Sequence, residues 1–108
     1  MIEGMLCGLA DAVDALSTQG VEINRIFLVG GAAKNPAVAH IASSLFAREV
    51  VIPPPGEYVA DGAARQAAWA LLGDAPRWNL GNVTHVQSQP TPAVLEKYRT
   101  LRDATAAW

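Results

Sequence analysis

The sequence predicts an α/β fold in which helices and strands alternate around an incomplete parallel sheet. Three observations carry this. Two short runs, Arg25–Val29 and Val50–Ile52, are apolar without alternation, as strands covered on both faces are. Segments of helical period precede, separate and follow them. Between the first strand and the helix after it stands Gly30-Gly31-Ala32-Ala33-Lys34-Asn35-Pro36, a bare backbone turn leading into a helix start. The expected order is helix, strand, helix, strand, helix, then a tail with a C-terminal helix.

The first helix is expected from about residue 2 to 17. Ile2, Met5, Leu6, Leu9, Val13 and Leu16 share one arc at the helical period, and Gly4, Gly8, Ala12 and Ala15 form a second stripe beside it. Two packing faces predict a sandwiched helix. Gly20 follows where a helix stop is needed. The strand Arg25–Val29 should be buried on both faces. Asn35 can cap the second helix and Pro36 suits its first position, with Val38, Ile41, Ala42, Leu45 and Phe46 on its apolar side. Pro53, Pro54, Pro55 and Gly56 end the second strand and force an extended loop. A third helix, from about residue 59 to 72, is rich in alanine and glycine and is expected to pack closely in the core, with Gly73 as its stop. Residues 74–89 look irregular, with Trp78 as an anchor onto the body. Thr91 and Pro92 then start a helix with Val94, Leu95, Tyr98 and Leu101 on one side.

At 108 residues, 51% apolar and 17% charged, the chain is sized for one small domain with a core. A formal net charge of −2 offers no basic excess for nucleic acid. Cys7 is the single cysteine, so no internal disulfide can form, which fits a reducing cytoplasm. Early Glu3, Asp11 and Asp14 do not suit a secretory leader, and no apolar run is long enough to span a bilayer. A cytoplasmic protein is expected. Two parallel strands make a poor independent core. The chain therefore reads as part of a larger α/β domain, or as one completed by association with a copy of itself or another chain.

The glycine junction resembles the adenosine motif of the FGGY family of carbohydrate kinases. Ile2-Glu3-Gly4 with Leu9-Ala10-Asp11 resembles the helix before that motif, and Glu57-Tyr58-Val59-Ala60-Asp61-Gly62-Ala63-Ala64 resembles the family's E-x-x-A-L-G-A-A helix start. The three in order are most similar to the xylulokinase branch. The resemblance covers roughly residues 2 to 72. It implies an actin-like ATPase (ribonuclease H-like) fold and ATP-dependent phosphorylation of a ketopentose, D-xylulose. It divides the chain into residues 1–73, the C-terminal part of the nucleotide-binding domain, and a tail, 74–108. It assigns nucleotide contacts to Gly30, Gly31, Ala32 and Asn35. Two positions depart from the pattern: Ala32 stands where many relatives have a third glycine, and Asp61 where an apolar residue is common. The family's sugar-binding domain, its D-x-G-T phosphate loop and its catalytic Asp have no counterpart in this sequence. The expectation is a C-terminal kinase portion that holds ATP, leaves Mg2+ and the sugar mainly to the rest of the kinase, and is inactive alone.

Other residues carry plainer expectations. Asn35 is a cap before it is a ligand contact, and Lys34 a solvated lysine. His40 and His85 lack ligand-spaced companions for a metal. Cys7 is a small helix residue. Asp11 and Asp14 share a wetted helix face. Trp69, Trp78 and Trp108 are packing anchors. The G-x-G-x-x-G spacing of a dinucleotide site is absent. The competing function is a non-enzymatic assembly piece.

Overall fold

The computed structural model describes residues 1–107; Trp108, expected to be an anchor, lies outside them. The elements are α1 (Ile2–Thr18), β1 (Ile26–Phe27), a 3-10 turn (Gly31–Lys34), α2 (Pro36–Phe46), β2 (Val50–Ile52), α3 (Tyr58–Leu72), β3 (Thr84–Val86) and α4 (Pro92–Thr105). The strands lie in the order β1-β2-β3. β1 runs parallel to β2, with Ile26 opposite Val50 and Phe27 opposite Val51. The α/β class and the alternation of its elements follow the sequence expectation.

Helix ends fall where their chemistry places them. Gly20 and Gly73 have φ of +85° and +83°, the left-handed conformation that lets a chain leave a helix at little cost. The Gly73 N–H donates to the Trp69 carbonyl at 2.9 Å. Asn35 Oδ1 accepts from the Ala37 N–H at 3.0 Å, and Pro36 occupies the first turn of α2.

One buried cluster holds α1, α2 and the sheet together: Leu6, Cys7 and Ala10 from α1; Val38, Ala42, Leu45 and Phe46 from α2; Val50 from β2. Val94, Leu95 and Tyr98 of α4 pack on its edge. Burial pushes the Cys7 thiol pKa up, and Glu3 and Asp11 add to the shift, so this cysteine behaves as a small apolar residue. Ser43, the buried polar residue of α2, is satisfied: its hydroxyl donates to the Arg48 carbonyl (2.9 Å) and accepts from the Ser88 N–H (3.0 Å).

Five expectations need correction. Residues 84–86 are not irregular: they form β3, antiparallel to β2, with Val86 opposite Val50. Three residues, two of them polar, give too short a pattern to read. β1 is not buried on both faces. It is an edge strand, its outer side unpaired among the described residues, and Phe27 and Val29 are 40% and 45% exposed. The Arg25 guanidinium lies 5.4 Å from the Phe27 ring centroid. α1 meets α2 and α4, but the far part of its apolar arc is not sandwiched: Met5, Leu9 and Leu16 are about half exposed. α3 is not in the core, and no residue of it is buried. Trp69 and Trp78 are both about half exposed, so neither anchors the body. The shape agrees: the radius of gyration is 16.5 Å, against about 13 Å for a compact chain of this size.

The expectation of a wetted Asp11 and Asp14 pair is also replaced. Arg99 of α4 bonds both carboxylates, with Nε donating to Asp11 Oδ1 at 2.9 Å, and Arg102 donates to the other oxygen of Asp11. These pairs fasten α4 across α1. The bonded Arg99 guanidinium holds the Asp11 carboxyl below its ordinary pKa, and Arg102 adds to the shift. The sign follows from linkage. A depressed carboxylate pKa contributes stability above the unfolded value, about 4, and that contribution is lost as pH falls through the folded value. Asp11→Asn is expected to cost about 1 kcal/mol at neutral pH. Thermal melts across pH check this: the gap between parent and variant should hold above about pH 5 and narrow steadily as pH falls below the unfolded carboxylate value of about 4, and a gap that stays constant contradicts the assignment.

Candidate functional site

β1 and β2 are parallel, so their C-terminal ends emerge on the same side and the loops that follow converge. From β1 comes the glycine turn; from β2 come the three prolines and Gly56. Leu28 extends the pairing, its N–H donating to the Val51 carbonyl at 3.0 Å. Gly30 then has φ +101° and ψ 179°, a conformation essentially confined to glycine. It throws the chain into the turn Gly31–Lys34, in which the Ala33 N–H donates to the Gly30 carbonyl (3.2 Å) and the Asn35 N–H to the Ala32 carbonyl (3.1 Å).

Between the two loops lies a cleft of about 240 Å³. Its walls include Gly30, Gly31 and Lys34 on one side and Pro53–Gly56, Glu57 and Tyr58 on the other. The proline run is stiff, and the Tyr58 hydroxyl donates to the Pro54 carbonyl, bracing that wall from the start of α3. Lys34 also borders a second cleft of about 460 Å³ on the other face of the proline loop, with His40, Asn82 and Thr84.

Of the four residues singled out from sequence, Gly30 and Gly31 line the first cleft. Ala32 and Asn35 do not; Asn35 is occupied as the cap of α2 and stands behind the turn. Gly31 is instructive. Its φ is not in the left-handed range, and a Cβ built on it would meet nothing within 4 Å. Neither backbone conformation nor packing requires glycine there, and Gly31 borders the cleft. Glu57 and Tyr58 are cleft residues that sequence reasoning placed only in a family motif. The signal that could have found them is the parallel pairing, which sends the loops after β1 and β2 to one edge of the sheet.

Both histidines have side-chain partners. His40 Nδ1 is 3.0 Å from Ser88 Oγ, and His85 Nδ1 contacts Glu49 Oε1. Among the described residues no group of three His, Cys, Asp or Glu is placed to hold a metal ion. No described helix is long and apolar enough to cross a membrane.

Comparison with known proteins agrees with this geometry. Residues 1–71 match the model of the FGGY family of carbohydrate kinases, C-terminal domain. Among solved structures, the crystal structure of xylulose kinase from Bifidobacterium adolescentis superposes with a TM-score of 0.74 and 41% sequence identity. The match covers 94% of this chain and 20% of that one. No curated protein matches. The match reaches past the family model's end, so β3 and α4, which join the same sheet and core, fall largely within the shared structure. With the glycine turn, the helix before it and the helix after the proline loop in the expected order, the chain belongs to the FGGY family of carbohydrate kinases and matches its C-terminal domain.

Proposed function

We propose that the chain is the C-terminal portion of an ATP-dependent kinase for D-xylulose and supplies part of the nucleoside wall of its cleft. The observation that carries this is Gly31: a glycine that packing does not require, open to a cleft between two converging loops. Gly30 and Gly31 would bring bare backbone against the nucleotide. Ala32 and Asn35 would act from behind, Asn35 by fixing the first turn of α2 and offering its side-chain amide N–H groups. The family match and the likeness to a xylulose kinase support the assignment of sugar and phosphoryl donor. Residues 1–73 would carry this role, with 74–108 as a tail braced on them. The setting would be the cytoplasm.

The chain spans a fifth of the length of the xylulose kinase it matches. Phosphoryl transfer needs a base, metal-bound phosphates and a positioned acceptor. The sequence offers no D-x-G-T loop. The chain alone is therefore expected to give no turnover with ATP, Mg2+ and D-xylulose; the ketopentose, the metal and the catalytic base belong to the remainder of the kinase.

A second reading, a non-enzymatic assembly piece, draws on the uncovered faces of α1 and α3. Solution mass separates the two when combined with ATP titration. A chain that self-associates at micromolar concentration and shows no response to ATP supports assembly and counts against the kinase role.

Two glycine variants test the site. Gly31→Ala should leave stability within about 0.5 kcal/mol of the parent, yet weaken ATP binding about tenfold by placing a methyl where the ligand backbone contact forms. Gly30→Ala should itself destabilise by about 1–3 kcal/mol, because its conformation excludes a Cβ. Thermal melts and amide NMR titration with ATP read both; equal ATP responses in the parent and the Gly31 variant would falsify the assignment.

A further inference from the structure

The first cleft carries a carboxylate with no partner. Glu57 stands at the N-terminal cap position of α3, yet its side chain makes no capping hydrogen bond. Its backbone carbonyl starts the helix by accepting from the Asp61 N–H at 2.9 Å, so its position is fixed while its carboxylate stays free. Among the described residues it enters no ion pair, and it lines the cleft with Gly30 and Gly31. Lys34, on the other loop, lines the same cleft and likewise enters no ion pair among the described residues.

We infer that Glu57 is the specificity residue of this cleft for a ribonucleoside, accepting hydrogen bonds from the sugar's two adjacent hydroxyls. The inference rests on the nucleotide reading above and deepens it. An ionised carboxylate is an acceptor only, with two oxygens spaced to take a pair of neighbouring O–H donors. It repels phosphate, so the anionic end of a nucleotide must point away from it. Lys34 on the facing loop supplies a cation of the opposite preference. The cleft is thus polar along its length, hydroxyls toward α3 and negative charge toward the glycine turn. A divalent cation is a poorer occupant for Glu57, because no group of three His, Cys, Asp or Glu placed to hold one exists among the described residues. Tyr58, bonded to the Pro54 carbonyl, ties the start of α3 to the proline loop and so braces the wall that carries Glu57.

The experiment compares ATP with 2′-deoxy-ATP and 3′-deoxy-ATP by amide NMR titration of the 108-residue chain, following Gly30, Gly31, Lys34 and Tyr58. The expected result is about tenfold weaker binding of each deoxy form, the usual consequence of leaving a charged acceptor without its donor. Glu57→Gln keeps the shape and one acceptor oxygen but removes the charge. It should bind all three ligands within about twofold of one another. Asp61→Asn, an acid on the same helix that does not line the cleft, should keep the parent's preference. Three outcomes overturn the inference. Parent binding that ignores the sugar hydroxyls removes the Glu57 assignment and leaves the nucleotide reading standing. A preference that survives in Glu57→Gln does the same. No amide response to millimolar ATP removes both.

Discussion

The structure depends on α2 being held from two sides. Ala42, with no exposed surface, and its neighbours Val38, Leu45 and Phe46 sit between α1 and the strand residue Val50. Leu6, Cys7 and Ala10 meet them from α1. Small side chains at Cys7, Ala10 and Ala42 let the two helices come close, and close-packed interiors do not tolerate a shift of either axis. Fixing the axis of α2 fixes its first turn. That turn begins at Asn35 and Pro36, immediately after the glycine loop. The position of Gly30 and Gly31 therefore follows from the packing of α2, which begins at Val38 in its first turn, and from the pairing of Leu28 with Val51 on the strand side. Neither glycine has a neighbour within 4 Å of where a Cβ would stand.

The same core explains what the chain leaves uncovered. The buried residues of the chain gather where α2 meets α1 and β2, and the surfaces beyond that contact are largely exposed. α3 lies beyond it and buries no residue, although Val59 and Leu71 are 88% and 85% exposed. Helix propensity favours α3 strongly because alanine loses no side-chain entropy. Isolated helices of this length are still marginal in water, and most helical stability comes from a packed face. It is tied at its start, by Tyr58 to the proline loop, and at its middle, by Arg65, whose Nε donates to the Pro76 carbonyl at 2.9 Å. A small core with large exposed apolar faces is the pattern expected of one part of a larger folding unit. It agrees with a match to 20% of a longer kinase chain.

Sequence was most legible where one residue decides a backbone conformation. Gly20, Asn35-Pro36 and Gly73 marked helix ends because few other residues suit those positions. The two parallel strands were visible as apolar runs. β3 was not, since Thr84, His85 and Val86 become a strand only through pairing with Val50, Val51 and Ile52. Burial was legible for α2 and misleading for α3 and Phe27, because hydrophobicity says that a surface wants cover and not whether cover is present. The ion pairs of Asp11 and Asp14 were hidden by distance: their partners lie 85 to 91 residues away in sequence. Of the cleft, the glycine wall was legible and the Glu57 wall was legible only as a motif, since nothing local to Glu57 shows that it faces Gly31.

The division of charge around the cleft suits the proposed division of labour. A phosphoryl-transfer site must gather positive charge around the phosphates, from metal ions, lysines or arginines. Here the first cleft has one lysine, and the carboxylate of Glu57 lies on its other wall. No arginine lines the first cleft: Arg99 and Arg102 fasten α4, Arg65 holds Pro76, Arg48 bonds the Phe46 carbonyl and Arg25 lies over Phe27, while Arg77 stands apart from the cleft. A wall of this composition is poorly suited to stabilising charge in a transition state. It is well suited to a nucleoside, which presents a flat apolar base, hydroxyl donors and no charge of its own. On the kinase reading, the backbone of Gly30 and Gly31 admits the ligand closely, the proline loop gives a stiff apolar surface, and the charge-handling groups must come from the remainder of the kinase.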